Sequence, residues 1–215
     1  MFDSTDFTAL FLHRVMMLIP LWLSLSVHEW AHAFAAYQLG DDTADQQGRM
    51  TVNPLAHLDP VGTVFLPLMG VPFGWAKPVP VEPTRFRSDV SMSAGIVITA
   101  AAGPLSNVLL AGLTYLVLRT LRPVIDPESS ALAGAFSALL MQLLTVNIVL
   151  AIGNLLPIPP LDGSRIVDGF IRFEHRAAWA RFATASGYVL AGLITIAMML
   201  WGVRMVGWIT GLMAR

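Results

Sequence analysis

One pentapeptide, His28-Glu29-Trp30-Ala31-His32, combines residue types and a spacing that could perform metal chemistry. Two histidines four positions apart on a helix project from one face and can bind the same Zn²⁺ ion, and a glutamate between them can act as a general base toward water. The surrounding residues are almost all apolar, and ionisable groups inside such a segment are costly and usually mark function. The spacing therefore predicts a hydrolytic metal site built on His28, Glu29 and His32.

A catalytic zinc site needs a third protein ligand and one open position. Two residues are candidates for that ligand: His57, and Asp162, which follows a helix end interrupted by three prolines. We prefer Asp162, because it is expected on the same side of the membrane as the C-terminal half of the first apolar segment, where the histidines lie. An Asp-Gly turn that merely starts the next helix is the alternative for Asp162.

The composition is typical of an integral membrane protein. Of the 215 residues, 55% are apolar and 13% are charged, far below the roughly 25% charged residues of soluble domains. The net charge of −1 and the absence of a Lys/Arg block argue against nucleic acid as a partner. Because the chain has no cysteine, any metal site must be built from His, Asp and Glu.

Four apolar segments could cross a membrane, which takes about 20 residues. The first, 9–39, contains the histidine pair, and its length together with Pro20 predicts a tilted or broken helix. The other three are 93–118, 131–156 and 183–213. We therefore predict an all-α polytopic membrane protein with about four to six transmembrane helices, in a single domain over residues 1–215.

Residues 45–92 have a different character from the apolar segments. The apolar run 61–71 is short and rich in Gly and Pro, which predicts a short or re-entrant segment flanked by extended strands. Prolines at 78, 80 and 83 would confine such a strand to the edge of a sheet. An edge strand could pair with an extended peptide, whereas an interfacial loop with no role toward a substrate is the alternative.

The basic residues predict the orientation in the membrane. The loops 40–92 and 157–182 hold eight of the Lys and Arg residues and the rest of the chain holds five, which favours a cytoplasmic position for these loops. No basic region followed by a cleavage pattern marks a removable signal peptide. We expect a multi-pass protein of the cell's inner (plasma) membrane, with its site toward the cytoplasmic side.

A second motif makes a family resemblance specific. The chain matches the pattern Asn-x-x-Pro-x-Pro-x-Leu-Asp-Gly at Asn154, Pro157, Pro159, Leu161, Asp162 and Gly163. With the earlier His-Glu-Trp-Ala-His, this resembles the site-2 protease family of intramembrane zinc metalloproteases. The resemblance implies that His28, His32 and Asp162 bind Zn²⁺ and that Glu29 is the base. It also implies that Asn154 lies by the metal, where it holds the substrate or polarises its carbonyl.

Two further features bear on the resemblance. The run Gly103-Pro104-Leu105-Ser106-Asn107 is similar to a small-residue motif that these proteases carry in the helix between the two main motifs. Ordinary packing of small and hydrogen-bonded residues between helices is the alternative. His57 has no position in the family pattern, which favours a loop-stabilising role for it.

The activity that the resemblance implies is hydrolysis of peptide bonds in or near transmembrane segments of membrane proteins, as in regulated intramembrane proteolysis. The expected partners are a transmembrane protein or peptide substrate and the lipid bilayer, with a regulatory membrane protein as a further candidate. The chain resembles a compact form of the family without a PDZ or CBS domain. A metal-ion transporter or channel, and a proteolytically silent membrane scaffold, are the alternatives.

Overall fold

A computed structural model of the chain describes residues 4–68, 74–121 and 130–183, together with single positions between 187 and 200. Within these residues the regular secondary structure is entirely helical, and no β-strand occurs. The expected all-α class is therefore confirmed. The predicted span 183–213 lies almost wholly outside the described residues.

The first helix, α1 (Ser4–Gln38), carries the histidine pair and continues through Pro20 as a single element. The break considered at Pro20 does not occur, since one missing N–H removes one intrahelical bond while the turns on either side keep theirs. The helix stops at Gly40, whose φ of 108° is in the region that favours glycine. A Cβ at this position would also meet Arg87, so the end of α1 and the chain near Arg87 are in close contact.

Between α1 and the next long helix, the described residues form only short helical elements. They are α2 (Thr43–Gln46), a 3₁₀ turn at Pro54–Ala56, a π-helical turn at Pro60–Phe65 that continues as α3 (Leu66–Leu68), and a 3₁₀ turn at Pro83–Arg85. Residues 74–82 have no regular secondary structure.

The strands expected in this region are wrong for its described part. Backbone groups that a strand would offer to a partner strand are bonded elsewhere. The N–H of Lys77 donates to the carbonyl of His57 over 2.9 Å, and the N–H of Glu82 donates to Oδ2 of Asp41 over 2.6 Å. Because carbonyls and side chains outside any sheet already satisfy these donors, the segment needs no neighbouring strand.

Two described helices, α4 (Met92–Leu121) and α5 (Ala131–Asn154), are long and apolar enough to cross a membrane. They coincide with the predicted spans 93–118 and 131–156. Helix α4 packs against both α1 and α5, and α1 also packs against α5. The three long helices therefore form one bundle, with the histidine pair of α1 facing the interior.

Helix α4 buries small and polar residues and exposes large apolar ones. The buried positions of α4 are Gly95, Thr99, Ala100, Gly103, Pro104, Asn107, Ala111 and Thr114. Its exposed positions include Ile98, Leu105, Val108, Leu109, Leu113 and Leu116. Small residues allow helices to approach closely in lipid, where large apolar side chains gain nothing from being buried. This distribution in α4 is typical of a helix that lies in a membrane.

The chain leaves α5 through a proline-rich loop and enters α6 (Asp162–Phe170), which packs against α4. Gly169 lies against Ser93 and Val97, so α6 is held over the first turns of α4. A 3₁₀ turn at Phe173–His175 follows, and residues 176–183 are helical. This packing fixes the position of Asp162 at the start of α6.

Candidate metal centre

Three ligand-type side chains meet at one buried point. The Nε2 atoms of His28 and His32 are 3.0 Å apart, and Oδ2 of Asp162 is 3.1 Å from the first and 3.2 Å from the second. The histidines come from successive turns of α1, and Asp162 is the first residue of α6. The structure thus brings together the three residues that the sequence singled out as ligands, in a group able to hold a metal ion.

The second nitrogen of each imidazole determines where its proton lies. Nδ1 of His28 is 2.6 Å from Oδ1 of Asn107, and Nδ1 of His32 is 2.7 Å from the carbonyl oxygen of Thr99. Both oxygens are acceptors, so both Nδ1 atoms must carry the hydrogen and donate it. Each Nε2 therefore presents a lone pair toward Asp162, as in the His ligands of metal sites.

This arrangement needs a cation at its centre. Two Nε2 lone pairs cannot hydrogen-bond to each other, and Oδ2 of Asp162 is buried without a hydrogen-bond partner. A tetrahedral zinc ion with bonds of about 2.0–2.1 Å holds its ligand atoms roughly 3.3–3.4 Å apart, close to the separations seen between these atoms. The three side chains therefore fit a zinc ion in number, type and spacing.

The charge of Asp162 agrees with a metal site. Burial alone would raise the pKa of its carboxyl, but positive charge beside it, carried by the two imidazoles when they are protonated in place of a bound metal, holds that pKa below its usual range. The group is therefore an anion, which is the form in which a carboxylate binds a metal.

Glu29 lies between the two histidines in the sequence and is 9% exposed. Its Oε2 accepts a hydrogen bond of 2.8 Å from the backbone N–H of Val79. A buried carboxylate is costly without a hydrogen-bond partner, and the irregular segment 74–82 supplies one. The bond uses one of two carboxylate oxygens, so it orients the group and leaves its capacity to accept a proton.

Gly103 lies directly against the histidine pair. A Cβ built on it would be 2.6 Å from Cε1 of His32 and 2.7 Å from Cε1 of His28, closer than real Cβ atoms come to other heavy atoms. Together with the Asn107 contact to His28, this gives the run 103–107 a role at the imidazoles as well as in helix packing. The run 103–107 therefore serves both as the small-residue motif beside the imidazoles and as a surface for helix packing, which were alternatives on the sequence alone.

Gly163 has a similar role beside the third ligand-type residue. A Cβ there would meet the carbonyl oxygens of Leu155 and Leu156, so a glycine is what allows the start of α6 to fold back against the end of α5. In the Asp-Gly pair of the second motif, the carboxylate is thus followed by the glycine that allows α6 to begin close to the end of α5.

Two sequence candidates do not contact the cluster. The imidazole of His57 is 1% exposed, and its Nε2 donates to the carbonyl of Thr51 over 2.7 Å, which agrees with a loop-stabilising role. Nδ2 of Asn154 donates to the carbonyl of Leu150 in its own helix over 3.0 Å. The structure shows no bond from Asn154 to the three ligand-type side chains.

Several residues that support the site belong to neither sequence motif. They are the carbonyl of Thr99 and the buried side chains of Ser24 and Asn147. The signal that could have found them is a polar residue in a strongly apolar helix, since such residues are rare and face the bundle interior. Thr99, Gly103 and Asn107 are also four positions apart, which places them on one face of α4.

Comparison with known proteins places the chain in a family. It is 41% identical over 178 residues to "Putative zinc metalloprotease YwhC" of Bacillus subtilis (strain 168), covering 81% of this chain and 77% of the relative. The chain belongs to peptidase family M50, the site-2 protease family. The profile of this M50 family matches residues 120–199, which include the Asp162 motif.

Other M50 relatives are "Putative zinc metalloprotease Rip2" from two mycobacteria. The protein of Mycolicibacterium smegmatis is 32% identical over 196 residues, covering 90% of this chain and 72% of the relative. The protein of Mycobacterium tuberculosis (strain H37Rv) is 30% identical over 182 residues, covering 84% of this chain and 66% of the relative. No solved structure matches the chain. As an M50 member the chain is a zinc metalloprotease and a membrane protein, and its cofactor is zinc.

Proposed function

We propose that this protein hydrolyses peptide bonds in or next to transmembrane segments of other membrane proteins, in regulated intramembrane proteolysis. The observation that carries the proposal is the convergence of two Nε2 lone pairs and one carboxylate oxygen beside a buried glutamate, inside a bundle of apolar helices. A catalytic zinc site needs three protein ligands and a general base. His28, His32 and Asp162 are the proposed ligands, and Glu29 is the proposed base.

In the proposed reaction, the ion and the side chains have different roles. When bound, zinc lowers the pKa of water to about 7 and polarises the scissile carbonyl. Glu29 accepts the proton of the attacking water and delivers it to the leaving amine. The N–H of Val79 holds one oxygen of Glu29, which keeps the carboxylate in a single orientation during both transfers.

Asn154 is proposed to bind the substrate. Its amide carries two hydrogens, and the bond to the carbonyl of Leu150 uses one of them. The second hydrogen can be donated to a substrate carbonyl, where it would stabilise the developing negative charge. This role follows from the family motif and from the position of Asn154 at the end of α5, eight residues before Asp162.

The contacts of residues 60–68 support a re-entrant segment. Nε1 of Trp22 donates to the carbonyl of Thr63 over 2.8 Å, and a guanidinium N–H of Arg14 donates to the carbonyl of Leu68 over 2.9 Å. The segment therefore runs antiparallel to α1, along roughly 12 Å of its length at 1.5 Å per residue. Arg14 lies about 21 Å along the helix from His28. The contact with Trp22 lies about 9 Å along α1 from His28, so the segment extends from there away from the site.

A close approach of two glycines supports a hairpin. A Cβ on Gly62 would meet the backbone and ring of Trp75, and a Cβ on Gly74 would meet the carbonyl of Gly62. The chain therefore returns to Gly62 after passing Leu68. A segment too short to span the bilayer is tolerated at membrane depth only against protein or a water-filled cavity, and residues 60–68 lie against α1.

The membrane arrangement proposed is a single protease domain with four to six spans (about 20 residues each), in which α1, α4, α5 and the segment 183–213 cross the bilayer. The loops 40–92 and 157–182 carry most of the basic residues, which favours the cytoplasmic side of the inner membrane for the site. Substrate selection is proposed to rest on helix-weakening residues in the substrate or on a regulatory membrane partner.

The test compares wild type with Glu29→Gln in detergent, on a synthetic transmembrane peptide that contains helix-weakening residues. Wild type is expected to cleave the peptide, and Glu29→Gln is expected to retain zinc without cleaving. Equal cleavage by both would contradict the role of Glu29. Absence of cleavage by wild type with one zinc bound per chain would favour a scaffold or a metal transporter.

The ligand assignment has a separate test. The zinc content of Asp162→Asn is expected to fall, and that of His57→Ala is expected to match wild type, because His57 lies away from the cluster. An unchanged zinc content in Asp162→Asn would remove Asp162 from the ligand set.

A further inference from the structure

A chain of buried polar side chains continues behind Asn107, on the side away from the metal cluster. Nδ2 of Asn107 donates to Oδ1 of Asn147 over 2.8 Å, and Nδ2 of Asn147 donates to Oγ of Ser24 over 2.8 Å. All three side chains are fully buried, and they come from α4, α5 and α1. Polar groups at such depth in an apolar bundle are costly, so their placement calls for a functional explanation.

The direction of each bond at Asn147 is determined by its neighbours. The hydroxyl of Ser24 donates to the carbonyl of Pro20 over 2.7 Å, so Ser24 accepts the bond from Asn147. Nδ2 of Asn147 also donates to the carbonyl of Leu143 over 2.8 Å. The hydroxyl oxygen of Ser24 and the carbonyl oxygen of Leu143 both accept, so the amide atom of Asn147 that faces them must be Nδ2. The other amide atom, Oδ1, therefore faces Asn107.

The orientation of Asn147 sets the orientation of Asn107. Because Oδ1 of Asn147 is an acceptor, Asn107 must turn its Nδ2 toward it and its own Oδ1 toward His28. A flipped Asn107 amide would place an N–H against the Nδ1–H of His28, where two donors repel each other. With Oδ1 of Asn107 toward His28 and Nδ2 toward Asn147, Nδ1 of His28 keeps its hydrogen and Nε2 presents its lone pair to the cluster. The flipped amide does not allow this.

We infer that Asn147 is a positioning residue of the metal site, which acts through Asn107 to hold His28 in the tautomer and rotamer that bind zinc. The inference rests on the proposed ligation of zinc by His28, His32 and Asp162. His32 receives the equivalent support from the carbonyl of Thr99, which cannot flip. Groups that orient a ligand in this way typically contribute tenfold or more to metal affinity, on the order of 10- to 100-fold.

The test measures the zinc affinity of the detergent-purified full chain by competition with a chromogenic chelator. Asn147→Leu is expected to weaken zinc binding about tenfold. Asn107→Ala is expected to weaken it at least as much, and the double variant no further than Asn107→Ala alone, because residues that act through one path are not additive. Cobalt-loaded Asn147→Leu is expected to show a shifted visible absorption band.

The matched control is Thr114→Val. Thr114 is buried on α4, and its hydroxyl donates to the carbonyl of Leu110 in the same helix. Its replacement removes a buried polar group from the bundle without touching the chain to His28. Its zinc affinity and cobalt spectrum are expected to equal those of wild type.

Wild-type zinc affinity in Asn147→Leu, with only a lower melting temperature, would overturn the inference. If that variant does not fold, Ser24→Ala decides in the same assay. Ser24→Ala is expected to lose about threefold in affinity, as for one hydrogen bond, and unchanged affinity would overturn the inference. His28→Ala is the reference variant. If it keeps the zinc affinity of wild type, the ligand assignment fails. If His28→Ala loses zinc affinity but Asn147→Leu and Ser24→Ala do not, the ligand assignment stands and the role of Asn147 is contradicted.

Discussion

The backbone N–H of Val79 donates to Oε2 of Glu29 over 2.8 Å, although 50 positions separate the two residues in the chain. The segment that supplies this donor is itself fixed on both sides. The guanidinium of Arg49 donates to the carbonyl of Lys77 over 2.6 Å, and the N–H of Glu82 donates to Asp41. The proposed base is thus oriented by a backbone group that has little freedom to move.

Val79→Pro removes that N–H donor. We expect kcat on a transmembrane peptide to fall between about tenfold and a hundredfold, because a misoriented base misses the water it must deprotonate. Zinc content should stay at the wild-type level, since Val79 does not contact the cluster. Val79→Ala keeps the N–H and is the control. Similar losses of kcat in both variants would show that the side chain, and not the N–H, is what matters.

Gly103→Ala adds a methyl group between α4 and the histidine rings. We expect zinc affinity to fall by at least about tenfold, because one or both imidazoles must rotate away from the cluster. Gly112→Ala introduces the same change in the same helix, where a Cβ meets nothing within 4 Å. Chelator competition on both variants checks the prediction, which fails if the two bind zinc equally well.

Gly163→Ala places a methyl group against the carbonyl oxygens of Leu155 and Leu156. We expect the start of α6 to shift away from α5 and to carry Asp162 with it, which lowers zinc content. Gly153→Ala, where a Cβ has open space, is the control and should retain zinc. A Gly163→Ala protein with a full zinc load would show that the loop can move without displacing the carboxylate.

Removal of the metal should destabilise the protein. Without a cation, two lone pairs and a carboxylate face each other at 3.0–3.2 Å. At a hundredfold excess over its dissociation constant, a ligand stabilises the fold by about 2.7 kcal/mol, which corresponds to roughly 5–10 °C for a chain of this size. Chelation should lower the melting temperature of wild type and Glu29→Gln alike. Equal melting curves with and without chelator would contradict zinc binding at this cluster.

The sequence alone predicted the parts of the site that depend on local spacing. His28 and His32 had to share a helix face because they are one turn apart, and α4 and α5 had to be long helices because their apolar runs exceed the thickness of a bilayer. Asp162 could be named only because its loop matches a second motif. Its meeting with the histidines depends on the packing of α6 against α4.

The sequence could not predict features that depend on contacts between distant segments. The prolines at 78 and 80 suggested an edge strand, but the donors around them are taken by Glu29 and Asp41, so no strand forms there. In the sequence, Asn147 is one polar residue within an apolar run and belongs to no motif. Its connection to Ser24 requires that α5 and α1 cross at that level.

The proposed ligands also lie far apart in the order of synthesis. His28 and His32 leave the ribosome long before Asp162, because two further long helices lie between them in the chain. A nascent chain with only α1 inserted holds two of three ligands and cannot retain the ion firmly. If these three residues are the ligands, zinc capture is expected only after α6 has packed against α4 and brought Asp162 to the histidines.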